Sequence, residues 1–234
     1  MLEVRDLHSY YGDAHVLHGA SLTVADGEVV ALLGRNGMGK TTLIRSIMRL
    51  AEPTVRHGSI AWDDEPLIGL RPFEVARRRI GLVPQGRRLF PSLTVLEHLT
   101  MRKSLRDTRG WTVERIFEIF PRLAERKGHR GGQLSGGERQ MLSLARALII
   151  DPLLILMDEP SEGLAPVMVQ QLEGIIARLK AEGLTILLVE QNFYSAMAVA
   201  DRVYVMETGK VVHEAAASQI AGEQDALMRY LGVQ

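Results

Sequence analysis

The sequence contains no cysteine. That excludes disulfides, thiolate nucleophiles and cysteine metal sites, and it suits a reducing compartment. Aromatic residues make up only 5% of the chain, which leaves little for stacking nucleic-acid bases. Neither sign of charge is in excess, since 28 Lys plus Arg balance 28 Asp plus Glu. A nucleic-acid track needs a basic face, so no such partner is expected. The run Arg77-Arg78-Arg79 is expected to be a solvated helix face. Long apolar runs are missing as well. Leu153 to Met157 and Leu184 to Val189 are far shorter than the about 20 residues that span a bilayer. Met1 to Leu7 carries charges where a signal peptide has its apolar stretch.

What is present is a chain of 234 residues, 46% hydrophobic, with strand and helix patterns in alternation. Leu2 to Leu7 and Ala20 to Val24 read as strands, and Asp26-Gly27 marks a turn before Glu28 to Leu33. The latter is apolar at consecutive positions, as a strand buried on both faces would be. Gly58 to Asp63 suggests a further antiparallel strand, turning at Asp63-Asp64. Gly81-Leu-Val-Pro is a short strand entering a basic loop. From about Thr94 to Ile150 the pattern is helical, broken at Pro121 and at Gly131-Gly132. Leu153 to Met157, a helix over about Pro166 to Ala181, and Leu184 to Val189 restore the alternation. Val203 to Glu207 and Val211 to Glu214 flank Thr208-Gly209 as a hairpin, and Gln224 to Leu231 reads as a short terminal helix. The layout predicts an α/β fold. A core formed by residues 1–85 and 151–234 carries an antiparallel β portion, and residues 86–150 form an inserted helical subdomain.

Gly34-Arg35-Asn36-Gly37-Met38-Gly39-Lys40-Thr41-Thr42 fits the pattern G-x-x-x-x-G-K-[ST], with a buried strand before it and a helix after it. Glycines let the backbone N–H groups curl around one anion, and the helix adds the positive end of its dipole. Lys40 can reach the β- and γ-phosphates of ATP or GTP, and the Thr41 hydroxyl can serve Mg2+. The fold is therefore expected to be of the P-loop NTPase type. Further along, the five apolar residues Leu153 to Met157 lead into Asp158-Glu159. Asp158 is placed to hold a magnesium-bound water, and Glu159 to take a proton from the attacking water.

Leu134-Ser135-Gly136-Gly137-Glu138 begins a helix that ends near Ile150. Ser135 is a good N-terminal cap, and the glycines permit close backbone approach to an anion. A second anion-binding helix start implies a second nucleotide face. Here the chain resembles, over essentially its whole length, the ATP-binding subunits of ABC transporters. The resemblance implies two such subunits packed head to tail, each ATP lying between one phosphate loop and the other subunit's signature segment Leu134 to Glu138. It implies that Tyr11 stacks on adenine and that Gln85 reaches Mg2+ and the attacking water while sensing the membrane subunits. Ser161 to Ala165 would cross the dimer interface, and Gln191 would sit at the switch that contacts the γ-phosphate.

Two positions, Gln191 and Ala165, depart from the common family pattern, and Glu138 is a milder and familiar variation. Gln191 stands where the family usually has histidine, so the group there carries no charge and Glu159 is expected to be the main base. Ala165 stands where an aspartate is usual in the interface-crossing segment. Glu138 replaces a glutamine in the signature. Other histidines, such as His213, are expected to be surface residues.

The wording of Pro160 to Pro166, Leu187 to Asn192, Arg88 to Val95, Arg122 to Arg126 and Gly34 to Gly37 resembles one of the two ATPase subunits of branched-chain amino acid importers. ATPases of urea or short-amide importers, and compact exporter ATPases, are near alternatives. A soluble ABC ATPase acting on DNA or ribosomes would carry coiled coils or tandem nucleotide domains. The resemblance implies partners: a second ATPase subunit, two transmembrane permeases and, indirectly, a periplasmic binding protein. It also implies a peripheral location at the cytoplasmic face of the membrane. The segment after Gln85, including Leu89, Phe90 and the helices to about Arg130, is expected to form the groove for the permeases.

Overall fold

A computed structural model describes residues 1–101 and 110–220. In chain order the strands are β1 (Leu2–Tyr11), β2 (Ala14–Val24), β3 (Val29–Leu33), β4 (Thr54–Trp62), β5 (Glu65–Pro66), β6 (Ile80–Val83), β7 (Leu154–Asp158), β8 (Thr185–Glu190), β9 (Arg202–Glu207) and β10 (Lys210–Ala216). The helices are α1 (Lys40–Ile47), α2 (Pro72–Arg77), α3 (Val95–Thr100), α4 (Val113–Ile119), α5 (Pro121–Glu125), α6 (Gly136–Leu148), α7 (Pro166–Ala181) and α8 (Phe193–Met197). The terminal helix expected over Gln224 to Leu231 lies outside the described residues.

Two sheets form. One is antiparallel, in the order β2-β1-β4-β5; the other runs β10-β9-β3-β8-β7-β6. In the second sheet β9, β3, β8, β7 and β6 are parallel, and β10 closes the hairpin with β9. Every residue of β3, β7 and β8 is buried. This is why these strands read as unbroken apolar runs.

One face of the parallel sheet packs with α1 against the antiparallel sheet, in a core that includes Leu7, Leu32, Ile44, Ile60, Leu156 and Leu187. The opposite face packs on α6, α7 and the helical portion, through Leu142, Ile155, Ile176 and Leu188. At about 1.5–3 kcal/mol per fully buried large apolar side chain, this filling makes the parallel sheet a firm platform for its strand ends.

The antiparallel strands are longer than expected. β1 runs on to Tyr11, β2 starts at Ala14 and β4 at Thr54. One face of that sheet is solvated, so its polar alternation hides the strand ends. Residues 95–148 hold α3 to α6 and a 3-10 turn at Gly131–Gln133, as the two helix breaks suggested.

Of the arginine run, only Arg77 belongs to α2. Arg79 turns back at φ 63° and donates to the Asp151 carbonyl and carboxylate at 2.7 and 2.6 Å. It ties the start of β6 to the chain entering β7, although its side chain stays partly exposed. His98 departs from the surface placement expected of the histidines: it is fully buried in α3, where its Nε2 accepts from Phe90 N at 3.0 Å, whereas four others do lie at the surface. His8, His15, His18 and His57 cluster on the solvent side of the antiparallel sheet, with ring centroids 3.9–5.5 Å apart. His213 is half-buried on β10.

Candidate active site

The loop after β3 is held open by its surroundings. A Cβ on Gly34 would lie 2.6 Å from the Met206 carbonyl oxygen. Gly39 has φ 104°, and a Cβ there would lie 2.9 Å from Leu17 Cδ2. Both positions therefore need glycine. The β9–β10 hairpin braces the loop tip: Gly209 N donates to Met38 O at 2.9 Å, and Thr208 N to Met38 Sδ at 3.3 Å. Arg35, Asn36 and Gly37 stay exposed, while Thr42 is buried in α1. No side chain caps the start of α1. Its first N–H groups are thus left for an anion.

Four charged or polar side chains meet beside this loop, delivered by α1 and by the end of β7. Lys40, 3% exposed, donates to the carbonyls of Gly34 and Arg35 at 2.7 and 3.1 Å and pairs with Glu159 Oε1 at 2.9 Å. Thr41 Oγ1 donates to Asp158 Oδ1 at 3.0 Å. Burial pushes the Asp158 carboxyl up to about 6; the Thr41 bond opposes this and the neighbouring Glu159 charge adds to it. Glu159 occupies the left-handed region at φ 48°. That conformation costs a non-glycine residue about 1–2 kcal/mol, and here it turns consecutive carboxylates into different positions of one notch. Gln85 arrives from the end of β6, and its Nε2 donates to Glu159 Oε2 at 3.1 Å. The Glu159 carboxylate thus sits between the loop lysine and Gln85.

The other expected residues take separate positions. Tyr11 ends β1 on the side of α1, where its hydroxyl accepts from Arg45 at 3.5 Å. Its neighbour Tyr10 instead stacks on His15. Gln191 is exposed just past β8. Leu134 is buried before α6, and its carbonyl accepts from Arg139 at 2.5 Å. Ser135 caps α6, its Oγ accepting from Glu138 N at 3.2 Å while Glu138 accepts from Ser135 N at 2.8 Å. These bonds hold the Glu138 carboxyl below its usual range, the Ser135 N–H foremost. So Glu138 serves the helix start where glutamine is usual. A Cβ on Gly137 would meet Met168 of α7 at 2.6 Å, and one on Gly136 would meet Arg87 at 3.1 Å. Ala165 is the N-cap residue of α7 and offers no side-chain cap.

Residues 17–162, which hold the phosphate loop, Gln85, the signature segment, Asp158 and Glu159, match the family model described as ABC transporter. The chain is 42% identical over 234 residues to the high-affinity branched-chain amino acid transport ATP-binding protein BraG of Pseudomonas aeruginosa, covering 99% of this chain and 100% of that protein. The chain belongs to the ABC transporter family. It is an ATPase subunit of a transporter. The lipopolysaccharide export system ATP-binding protein LptB of Escherichia coli is 33% identical, over 99% of this chain and 97% of LptB. A solved ATP-binding subunit of an ABC transporter superposes with a TM-score of 0.83 at 29% identity, over 99% of both chains. A dimeric bacterial ABC transporter cassette superposes with a TM-score of 0.80 at 27% identity, over 93% of this chain and 99% of that one.

In this ABC subunit several contacts were invisible in the sequence because they join distant positions. Gln85 Nε2 also donates to Glu162 Oε2 at 3.0 Å. Arg87 Nη2 donates to the carbonyls of Glu162 and Gly163, at 2.9 and 3.4 Å. Glu190, 3% exposed at the end of β8, accepts from Ser161 N at 3.0 Å and Gln191 N at 3.2 Å. It fastens the segment that follows β7 to the residue that follows β8. Burial raises its carboxyl above the usual range. Acidic residues inside loop motifs were the available signal for both glutamates.

Proposed function

We propose that this chain hydrolyses Mg-ATP at a site shared with a second ATPase subunit and so powers import of branched-chain amino acids. The observation that carries the chemistry is the convergence of Lys40, Thr41, Asp158, Glu159 and Gln85 at one end of the parallel sheet. The observation that carries the substrate is the full-length 42% identity to the Pseudomonas relative that bears that name. The lipopolysaccharide export relative is less similar, at 33%.

The Thr41 hydroxyl and the Asp158 carboxylate suit a hard cation. Mg2+ takes one or two protein oxygens and completes its shell with phosphate and water. Among the described residues no group of three His, Cys, Asp or Glu side chains could hold a metal ion, so carboxylates alone do not supply a metal cage. Thr41 and Asp158 would hold the Mg2+, which would supply positive charge to offset the negative charge that develops during transfer.

Phosphate entering the loop meets the N–H groups of α1 and the Lys40 ammonium. Its oxygens compete with Glu159 for that ammonium. Glu159, so released, accepts the proton of a water attacking the γ-phosphate, and ADP and phosphate leave. Gln85 positions that water and the Mg2+, and Gln191 donates a neutral N–H to the γ-phosphate. Tyr11 faces the adenine. Ser135 to Glu138 of one subunit close over the ATP held by its partner, in the head-to-tail arrangement the resemblance implies.

Among the described residues no helix is long and apolar enough to cross a membrane. A groove of about 400 Å³ between α2 and α6 offers Phe73, Leu82, Pro84, Arg88, Ala147 and Ile150 to helices of two permeases at the cytoplasmic face. The segment expected for docking contributes Arg88; α2, β6, α6 and the residues just past β6 and α6 supply the others. Phe90 stands 51% exposed beyond it. Selection of the solute belongs to the permeases and a periplasmic binding protein.

The test is to co-purify the chain with the permeases encoded beside it and measure solute-stimulated ATPase activity. Stimulation by leucine, isoleucine or valine is expected. Stimulation by urea alone would overturn the substrate.

A further inference from the structure

Gln85 sits between two acids, and only one of them belongs to the hydrolytic set. Its Nε2 donates to Glu159 Oε2 at 3.1 Å and to Glu162 Oε2 at 3.0 Å. A carboxylate only accepts, so both amide N–H bonds are spent, and Oε1 is the amide atom left to face a cation or a water proton. We propose that Glu162 is the positioning residue for Gln85, and that it ties the interface-crossing segment to the hydrolytic centre.

Three features support this. The terminal torsion of glutamine is broad and nearly two-fold, so one hydrogen bond to Glu159 leaves the amide orientation loosely set; a second acid on another segment fixes it. The backbone that carries Glu162 is itself held. Its N–H donates to Glu159 O at 3.2 Å, and its carbonyl accepts from Arg87, two residues past Gln85. Residues 85 and 87 therefore grip the side chain and the backbone of one residue. The third feature is Ala165, which removes the acid usual at that place in the segment. Glu162 is exposed, lies three residues earlier, and turns its carboxylate inward to its own chain's Gln85. A shift of residues 161–165 against a partner subunit is then felt directly by the amide. The inference rests on reading Gln85 and Glu159 as hydrolytic residues.

The test uses the full-length chain in its assembled transporter. ATP turnover, KM for ATP and half-activation by Mg2+ are measured for the wild type, Glu162→Ala, Glu162→Gln, Gln85→Ala and the Gln85→Ala/Glu162→Ala pair. A hydrogen bond to a charged group that orients a reacting amide corresponds to about a tenfold rate effect. Glu162→Ala is expected to lower kcat about tenfold and raise the Mg2+ requirement, with KM for ATP and thermal midpoint unchanged. Glu162→Gln keeps most of the rate, because its amide oxygen can still accept from Gln85. On the Gln85→Ala background, Glu162→Ala adds less than about twofold. Multiplying losses, a Glu162→Gln variant as slow as the alanine, or wild-type kinetics in Glu162→Ala would each overturn the proposal. If Gln85→Ala is slow while Glu162→Ala is normal, only the role of Glu162 fails. If Gln85→Ala is itself normal, the reading of Gln85 fails and takes the proposal with it.

Discussion

Lys40 and Glu159 pair at 2.9 Å with 3% and 8% exposure, in a notch built by α1 and the ends of buried strands. Ser135 to Glu138 instead begin a helix at the rim of the molecule, where Ser135 and Glu138 satisfy each other's N–H groups. The first wall is locked against itself: Glu159, proposed to take the proton of water, is engaged by Lys40, proposed to hold phosphate. The second wall is a formed, capped helix start, backed by Met168 and Arg87 of its own chain, and the proposed function sets it against the ATP of a second subunit. A buried ion pair of this kind resists loss of one partner alone, whereas ATP both occupies Lys40 and releases Glu159. On the proposed function, hydrolysis is thereby tied to phosphate binding at one wall, and to a second chain at the other.

Breaking the first wall should give the largest effect. Glu159→Gln keeps the volume but cannot take the proton, so kcat should fall by about 10²–10⁴. Phosphate release and fluorescent-nucleotide titration on the same samples should show ATP binding retained, because Lys40 loses its charged competitor. Equal loss of binding would show that Glu159 serves the loop's structure instead.

Next comes acidity. Asp158 protonates through pH about 6, since its folded value is raised by burial. Below that pH the notch loses the charge that favours Mg2+. The Mg2+ concentration for half-maximal activity should therefore rise about tenfold between pH 7 and pH 5, following the ionised fraction. A flat Mg2+ requirement over that range would remove Asp158 from the account. Gln191→Ala should slow turnover by up to about tenfold and change ATP affinity by less than about twofold, because a neutral donor to the γ-phosphate is lost. Equal loss in binding and hydrolysis, or no loss in hydrolysis, contradicts that role.

The smallest effect sharpens the comparison from outside the site. Ala165 is an uncapped N-cap in front of Pro166. Ala165→Asp should stabilise the chain by about 1 kcal/mol, read as an increased midpoint in urea. No gain would mean that the carboxylate does not fold back onto α7.

The buried strands and the phosphate loop were legible because their signals are local: β3 and β7 are apolar at consecutive positions, and glycine spacing is read directly. The antiparallel sheet was under-read, since the His8, Tyr10 and His15 face is solvated and breaks the apolar pattern. The bond of Thr41 to Asp158 joins positions 117 apart, and that of Gln85 to Glu162 positions 77 apart. No periodicity records such pairs. Motif reading named the chemistry at Lys40, Asp158 and Glu159 but not the Lys40–Glu159 pair. It passed over Glu162 and Glu190, whose roles depend on how β6, β7 and β8 lie side by side.

On the proposed function, one chain supplies both kinds of wall but completes a site only with a second subunit. The direct measurement is ATPase activity per chain across a range of protein concentrations, with sedimentation on the same samples. The account predicts that the 26.0 kDa monomer is inactive and that activity per chain tracks the fraction in dimers, whether with itself or with an added second ATPase subunit. Full activity per chain in a monomeric sample, independent of concentration, would contradict it.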